Sequence, residues 1–600
     1  MAKIDFKKQF ALAMAQAFQV VYPDVFKKQG KVQVFDDEFI YNNLEKPRDP
    51  RLGRFAFPVF RYGKLLNEKP NDIAFNIAEK NNNILKNEYN QTAFETIPMG
   101  GFINAQIDFV TEAKQTLNDI LSESTEYGSS QQGKGHKILV EYSSPNIAKP
   151  FGIGHLRTTI LGNSLRRIFR KLGYEAIGIN YLGDWGTQFG KMIVAYKKWG
   201  EEDKDTVADL YDLYVKFHQE AEQNDTLNDE AREAFKKLEN GDKEYTALWE
   251  HFKTISWSEF ERIYNLMGIE FDWVTGESFL NDKMEQVIDR LKDANLTSIS
   301  EGALIVELDD PQLPPCLLKK ADGATLYATR DLAGLLYRWD KYKFDEALYV
   351  VGSAQAVHFQ QVFKVIDMLE KAENIPENNC IDGRAKHIDF GWVKFGDKMM
   401  STRKGNIIFL EDVIDKAVAL AKEKIKEKNP DLKNIEETAL TIGVGAVIFS
   451  QLSIRRQKDV NFNWDEVLNF EGETGPYLQY THARLCSLLC NYDGRITNNI
   501  DYPLLKNEEE QRIIELLSDF PDYMRETAKH YEPNFIAVYL LKLAGAFNKF
   551  YQRKKEDGKI DKIISDDKEL TLARMALVKA VQIVLKDGLH LLGIKAPEEM

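Results

Sequence analysis

Three stretches combine residue types that can do chemistry. In PNIAKPFGIGHLRTT, Pro145 to Thr159, Gly152 and Gly154 lead into His155 at the start of a helix-patterned run. A Gly-x-Gly turn entering a helix presents backbone N–H groups and the positive end of the helix dipole to an anion, each such charge interaction being worth about 0.3–1 kcal/mol, so phosphate is its natural guest. The plainer reading makes His155 a polar helix cap. A second stretch, FGDKMMSTRKGNIIFLEDV, Phe395 to Val413, gathers Lys398, Arg403 and Lys404 around Ser401, Thr402 and Gly405 in a loop after a predicted strand. Such a cationic loop suits a triphosphate, although taken alone it reads as a solvated turn. In the third, TLYATRDLAGLLYRW, Thr325 to Trp339, Tyr327 and Asp331 stand i,i+4 at a helix start and share a face. An aromatic plane beside a carboxylate offers a guanidinium stacking and bidentate acceptance. Glu141, Ser143 and Asn146, near the end of a predicted strand, add acceptors across the crevice where open α/β sheets bind ligands. An exposed helical pair is the plainer alternative for Tyr327 and Asp331.

The elements that must position these groups follow from periodicity. KILVEYSS predicts a strand, Leu156, Ile160, Leu161, Leu165 and Ile168 keep a helical period, and YEAIGINYLGDWG returns to a strand. Strand, turn, helix and strand in this order are the grammar of a parallel nucleotide-binding sheet. A nucleotide-binding dehydrogenase is the competing reading, but the third glycine of its fingerprint is absent after Gly154. From about Ala195 to Glu301 the pattern turns charged and helical, with Val207, Leu210, Tyr211, Tyr214 and Phe217 on one face, so a helical insertion splits the sheet. GALIVEL, CLLKKADGATLY with an Asp322-Gly323 hairpin turn, EALYVVGS and HIDFGWVKF supply further strands, and HFQQVFKVIDMLEKA a helix. Beyond Leu410 nearly everything is helix-patterned. Glycine- and serine-rich YGSSQQGKGH, Tyr127 to His136, reads as a linker. The expected organisation is an α+β domain over 1–126, a linker over 127–136, halves of a Rossmann-like domain over 137–194 and 302–409, the mainly helical insertion over 195–301, and an all-helical region over 410–600 with a boundary near 470.

Composition narrows the partners. With 79 Lys and Arg against 93 Asp and Glu, the 600-residue chain carries −14, so a nucleic acid must be met by local basic faces. KPRDPRLGRFAFPVFRYGK, Lys46 to Lys64, is such a face: Arg48, Arg51, Arg54 and Arg61 interleave with Phe55, Phe57, Phe60 and Tyr62. That mixture suits phosphate contact with base stacking, and equally a half-buried strand. SIRRQKD, with Arg455 and Arg456, is a further basic run. The N-terminal stretch lacks a signal-peptide pattern, no run approaches about 20 apolar residues, and the four cysteines lack disulfide or zinc spacing. A cytoplasmic protein without a membrane or metal site is expected.

EYSSPNIAKPFGIGHLRTTILGNSLR, NYLGDWGTQFGK, LYATRDLA, VVGSAQAVHFQQVF, MSTRKGN and GPYLQYTHARL, in this order from Glu141 to Leu485, closely resemble arginyl-tRNA synthetases, a class I aminoacyl-tRNA synthetase family. The end of the chain is similar to that family's anticodon-binding helical domain. The resemblance implies ATP-dependent ligation of L-arginine to tRNA(Arg) through an arginyl-adenylate, with release of AMP and pyrophosphate. It implies ATP with Mg2+ as substrate, no tightly bound cofactor and a monomer. Gly152, Gly154 and His155 match the class signature turn, and Lys149 a lysine just before it. Arg403 and Lys404 lie in the counterpart of the second signature loop, with Met400 and Ser401 beside them. His155, Lys149, Arg403 and Lys404 are the implied catalytic groups. His358 and Phe359 are implied near the nucleotide, and Glu141, Ser143, Asn146, Tyr327, Asp331 and Gln355 in the arginine pocket. The amino-terminal domain matches the family's module for the tRNA corner, making Arg48, Arg51, Arg54, Phe57 and Arg61 tRNA contacts, together with Arg455, Arg456, Tyr477 and Gln479. Two departures stand out: Gly152 replaces the first signature histidine, and neither lysine of the second signature is in register. Losing a positioned donor typically costs about 2.7–4 kcal/mol in the transition state. A tRNA-binding relative that no longer charges arginine is therefore the second reading.

Overall fold

The computed structural model describes residues 5–25, 35–47, 49–88, 94–201, 205–321, 323–394, 408–469, 472–497, 499–555 and 557–600. The chain divides into two compact units, one of residues 1–124, 494–518 and 553–580, the other of 125–493, 519–552 and 581–600.

In the first unit, the helix Phe6–Val21 starts where the Asp5 carboxylate accepts from the Lys8 N–H at 2.9 Å. Strands β1 (Phe55–Pro58), β2 (Phe94–Met99) and β3 (Phe102–Ile107) form an antiparallel sheet in the order β1-β3-β2. Phe10, Met14 and Phe18 from the helix meet Phe57, Ile73, Ile77 and Ile103 in one core. This is the expected α+β arrangement. The same unit buries a charged cluster: Arg574 donates to Glu510 at 2.8 Å and to Asp561 at 2.9 Å. Arg574 and Glu510 are almost fully removed from solvent.

The second unit is built on a five-stranded parallel sheet. Its strands are β4 (Lys137–Glu141), β5 (Glu175–Leu182), β6 (Trp273–Gly276), β10 (Glu346–Gly352) and β11 (Ala385–Phe390), in the order β11-β10-β4-β5-β6. Strands β7 (Thr297–Ser300), β8 (Ala303–Val306) and β9 (Cys316–Lys319) form a small antiparallel sheet, and β12 (Val393–Lys394) pairs with β13 (Val460–Asn461). Ile138, Leu139 and Val140 are all buried, as a central parallel strand covered on both faces requires. The helix Leu156–Lys171 crosses from β4 to β5 and approaches β4 so closely that a Cβ on Gly162 would sit 2.2 Å from the Tyr142 ring. The sheet and its split therefore match the sequence expectation.

Helices Thr187–Trp199, Val207–Ala221, Thr226–Glu239 and Lys243–Met267 make up most of the insertion. Thr206 and Asp209 close a reciprocal capping box at the second of these. Within the range read as helical, however, WVTG folds as β6 and joins the sheet edge beside β5. Four residues give too little alternation to be read as a strand. YGSSQQGKGH is also more than a linker. Tyr127 is buried with its ring stacked 6.3 Å from Phe520, and the Ser130 and Gly133 N–H groups donate to Lys171 and Leu172 carbonyls at 3.2 and 2.9 Å. The Lys320 N–H donates to the Ala324 carbonyl at 2.9 Å across the expected hairpin, of which Asp322 lies outside the described residues. The C-terminal part is helical, as expected. Ile435–Leu452 is, among the described helices, the one long and apolar enough to cross a membrane; most of it is buried against Leu410–Lys428 and Gly475–Cys490.

The buried Arg574 cluster yields a stability prediction. Arg574→Met leaves Glu510 buried without its cation and should cost about 3–5 kcal/mol, read as a lowered urea midpoint for the transition that reports the first unit.

Candidate active site

The segment leaving β4 runs through three non-glycine residues in the left-handed region: Ser143 (φ 71°), Ser144 (φ 48°) and Ala148 (φ 57°). Each such residue costs roughly 1–2 kcal/mol, and each donates its N–H to a side chain. Ser143 bonds to Thr158 Oγ1 at 3.0 Å, Ser144 to Asn180 Oδ1 at 3.2 Å, and Ala148 to Ser256 Oγ at 2.8 Å. Asn146 lies against Gly183, where a Cβ would come within 2.1 Å of Asn146 Oδ1. The chain then reaches Gly152, whose neighbours pair with the far side of the cationic stretch. Ile153 N–H donates to the Ile408 carbonyl at 3.0 Å and Leu410 N–H to the Phe151 carbonyl at 2.9 Å. The structure thus joins the end of the second signature stretch to the first signature turn. Met400, Ser401, Arg403 and Lys404 themselves lie outside the described residues, as does Arg48.

His155 opens the helix Leu156–Lys171. Its Nδ1 is buried without a hydrogen-bond partner among the described residues, and the Phe151 ring lies 5.2 Å away. Burial, with the Lys149 charge adding to it, pushes the imidazole down to about 4, so the ring is neutral at physiological pH. Among the described residues, nothing lies within 4 Å of where a Cβ on Gly154 would stand. Lys149 Nζ lies 5.2 Å from the centre of the Tyr214 ring of the insertion.

Beyond the turn, carboxylates gather at the carboxyl ends of the sheet strands. Asp331 accepts from His358 at 2.6 Å, with both side chains about one-quarter exposed. Its charge acts on Glu141 and Glu277, placing all three acids in one electrostatic neighbourhood. Glu277 is 3.2 Å from Arg330, and burial, reinforced by Asp331 and Asp184, raises it to about 7. Tyr327 is 68% exposed and so keeps an open aromatic face beside this slot, and Gln355 is exposed at the start of the helix Ala356–Ala372.

Other sequence expectations meet a different environment. Glu141 is paired through one carboxylate oxygen with Arg338 of the same helix as Asp331. The Ser143 hydroxyl is taken by Tyr264 at 2.7 Å and Thr159 at 2.9 Å, which makes it part of the framework. Phe359 is 6% exposed and stacks on His387 at 4.8 Å. Phe57 is a core residue of the first unit with no face for a base, because it is the inward position of β1. Arg54 is held by Glu112 at 2.9 Å, while Arg51 is exposed on Asp49 and Arg61 lies over Phe39. Gln479 is buried and donates to the Thr441 and Lys595 carbonyls, so it is a packing residue. Tyr477 accepts from Asn548 at 2.9 Å, Arg456 is paired with Asp389, and Arg455 is exposed.

Sequence reading missed Glu277 and Arg338. Arg338 stands seven residues after Asp331, on the same helical face, a spacing visible in the sequence. Asp184 accepts from Lys253 at 2.7 Å and from the Ser278 N–H and hydroxyl at 2.8 Å, tying β5, β6 and the insertion together. A cavity of about 560 Å³ opens beside it, lined by Trp185, Trp249, Lys253, Phe279 and Asn281 among others. That volume suits a small organic group.

Comparison with known proteins agrees with this geometry. Residues 116–464 match the family model of the class I (R) tRNA synthetase catalytic domain, and residues 478–600 match the DALR anticodon binding domain. The chain is 45% identical to an arginine–tRNA ligase of Clostridium botulinum (strain Alaska E43 / Type E3), covering 94% of this chain and 97% of that one. It is 43% identical to the arginine–tRNA ligase of Clostridioides difficile (strain 630), over 98% and 100% of the two chains. The fold is that of Thermus thermophilus arginyl-tRNA synthetase, with a TM-score of 0.80 at 22% identity, covering 99% of this chain and 100% of that one. With the signature turn, the acidic slot and both family domains in place over nearly the whole length, the chain belongs to the arginyl-tRNA synthetase family, the class I enzymes that attach arginine to tRNA with ATP.

Proposed function

We propose that the acidic neighbourhood of Asp331, Glu141 and Glu277 receives L-arginine while the Gly152–His155 turn receives the phosphates of ATP. The observation that carries this reading is the position of Asp331: its carboxylate, oriented by His358, shares one field with the buried Glu141 and the half-buried Glu277. A charged, hydrogen-bonding slot beside the exposed Tyr327 ring suits a flat cation. In the activation step, the arginine carboxylate attacks the α-phosphate, a bond to the phosphate forms, and pyrophosphate departs. Negative charge builds on phosphate oxygens, so catalysis is positioning and electrostatic stabilisation. Backbone N–H groups of the turn and a neutral His155 would donate there, with Lys149, Arg403 and Lys404 as the cations and Asn146 orienting the reacting end of arginine. In the second step a hydroxyl of the terminal tRNA ribose takes the arginyl group and AMP leaves.

ATP is read as its magnesium complex. Arg48 and the exposed Arg51, Arg61 and Arg455 remain candidates for tRNA phosphate contact, whereas Arg54, Arg456 and Tyr477 are less exposed and held by Glu112, Asp389 and Asn548. Residues 1–126 are assigned to the tRNA corner, 137–194 and 302–409 to catalysis, and 410–600 to the stem and anticodon. A cytoplasmic monomer without membrane association completes the reading.

The test is ATP–pyrophosphate exchange with arginine, with and without tRNA, tRNA being expected to be required. Exchange with lysine in place of arginine would refute the slot. Intact tRNA binding without exchange for any amino acid would point instead to a relative that has lost charging, which Gly152 at the first signature position would explain. Two variants sharpen the site. Asp331→Asn should raise the KM for arginine by two or more orders of magnitude, up to about 10⁴-fold, with the KM for ATP little changed, because a site built around a hydrogen-bonded charge rejects imperfect partners. Equal losses for both ligands would count against the assignment. His155→Asn should lower kcat by about 10²–10³-fold. The shape of the pH profile between about pH 6 and 8 should stay unchanged, since a histidine pushed down to about 4 is already neutral there.

A further inference from the structure

Arg338 is 4% exposed. Its guanidinium carbon lies 5.3 Å from the centres of both the Tyr181 and Tyr349 rings, and its Nη2 is paired with Glu141 Oε2. The chain's own arginine therefore sits between two aromatic rings and on a carboxylate, directly behind the slot read as taking a free arginine. The groups acting on Glu141 are Arg338 and Asp331 from the helix Tyr327–Tyr342 and Tyr349 from β10, while Tyr181 of β5 faces Arg338. Among the described residues, Arg338 is the cation in that set. Burial raises the Glu141 carboxyl above its ordinary value, Asp331 raises it further, and Arg338 opposes both. A carboxylate enclosed this deeply and deprived of its cation would take up a proton and lose its fixed direction.

We propose that Arg338 is a positioning residue for arginine recognition, keeping Glu141 charged and fixed so that Glu141 and Asp331 act together on the cationic amino acid. The proposal rests on the reading of the slot given above. Arg338 does not touch the ligand; it acts through Glu141. The direction of its effect is not trivial, because deleting a cation beside an acidic slot raises the bare attraction for a cationic ligand. If long-range attraction dominated, its loss would tighten binding. If the ionisation and aim of Glu141 dominate, its loss weakens binding, and more so at low pH.

The experiment measures ATP–pyrophosphate exchange on the full chain with tRNA present, varying arginine and ATP separately from about pH 6 to about 8.5. The proteins are wild type, Arg338→Met, Arg338→Lys, Glu141→Gln and the double variant Glu141→Gln/Arg338→Met. Arg338→Met should raise the KM for arginine at least about tenfold at neutral pH, while leaving the KM for ATP within about twofold. Its arginine KM should fall more steeply than that of wild type as pH rises, because the unpartnered carboxyl ionises late. Arg338→Lys, which keeps the charge, should restore the wild-type pH slope. In the Glu141→Gln background, Arg338→Met should add less than about twofold, as expected of two residues acting as one unit. A wild-type KM and slope in Arg338→Met, tighter arginine binding, equal losses for ATP and arginine, or additive losses in the cycle would each overturn the proposal. Should Arg338→Met not fold, Arg338→Lys decides: a wild-type pH slope supports the assignment, and a KM as high as that of Glu141→Gln with a steepened slope overturns it. Absence of arginine-dependent exchange in the wild type would sink the slot itself, whereas an active wild type with an indifferent Arg338→Met sinks only the role given to Arg338.

Discussion

The site depends on holding the chain between Ser143 and Ala148 in a shape that its residues do not favour. Three side chains in the left-handed region of backbone space would relax to ordinary conformations in isolation. They are kept in place because Thr158, Asn180 and Ser256 each accept one of their N–H groups. Those acceptors come from the helix after the turn, from β5 and from the insertion. Thr158 also donates to the Val350 carbonyl at 2.6 Å, so the shape of the turn is tied to the end of β10 as well. Strain stored at a turn is retained only where the surroundings over-determine it, and here four separate parts of one unit do so.

This makes the helical insertion part of the site. Tyr264 bonds to Ser143 and Asn180, Ser256 to Ala148, and Lys253 to Asp184, all from the single helix Lys243–Met267. A segment that interrupts the sheet in sequence thus supports the strand ends in space. The pairing of Ile153 with Ile408 does the same for the two signature stretches, fixing where the cationic one rejoins the fold. Electrostatic stabilisation of a developing charge requires donors that do not reorganise, and a turn fixed from several sides meets that requirement.

The acidic slot shows how burial divides labour among like charges. Glu277 is half-buried, Glu141 buried and both are raised, Asp331 is partly exposed, and each has its own basic partner: Arg330, Arg338 and His358. Three carboxylates with no cations could not all stay ionised in so small a space. Pairing each with a basic group offsets their mutual repulsion.

The sequence by itself determined the class of fold, the split sheet, the helical C-terminal part and the two signature stretches. These rest on local signals: strand and helix periods, glycine-bearing turns and residue order, which are written along the chain. It also singled out Asp331, because an i,i+4 pair at a helix start is a local relation. Only the tertiary structure decided which polar groups were free to act. Ser143 looked like a ligand contact, Phe57 like a stacking ring and Gln479 like an RNA contact, until burial and partners far along the chain were seen: Tyr264, the first unit's core and Lys595. Likewise β6 and Glu277 gave too short a pattern to read. Partnering and burial depend on contacts between residues distant in sequence, so residue type and spacing can nominate a group for chemistry but cannot say whether the fold has already used it.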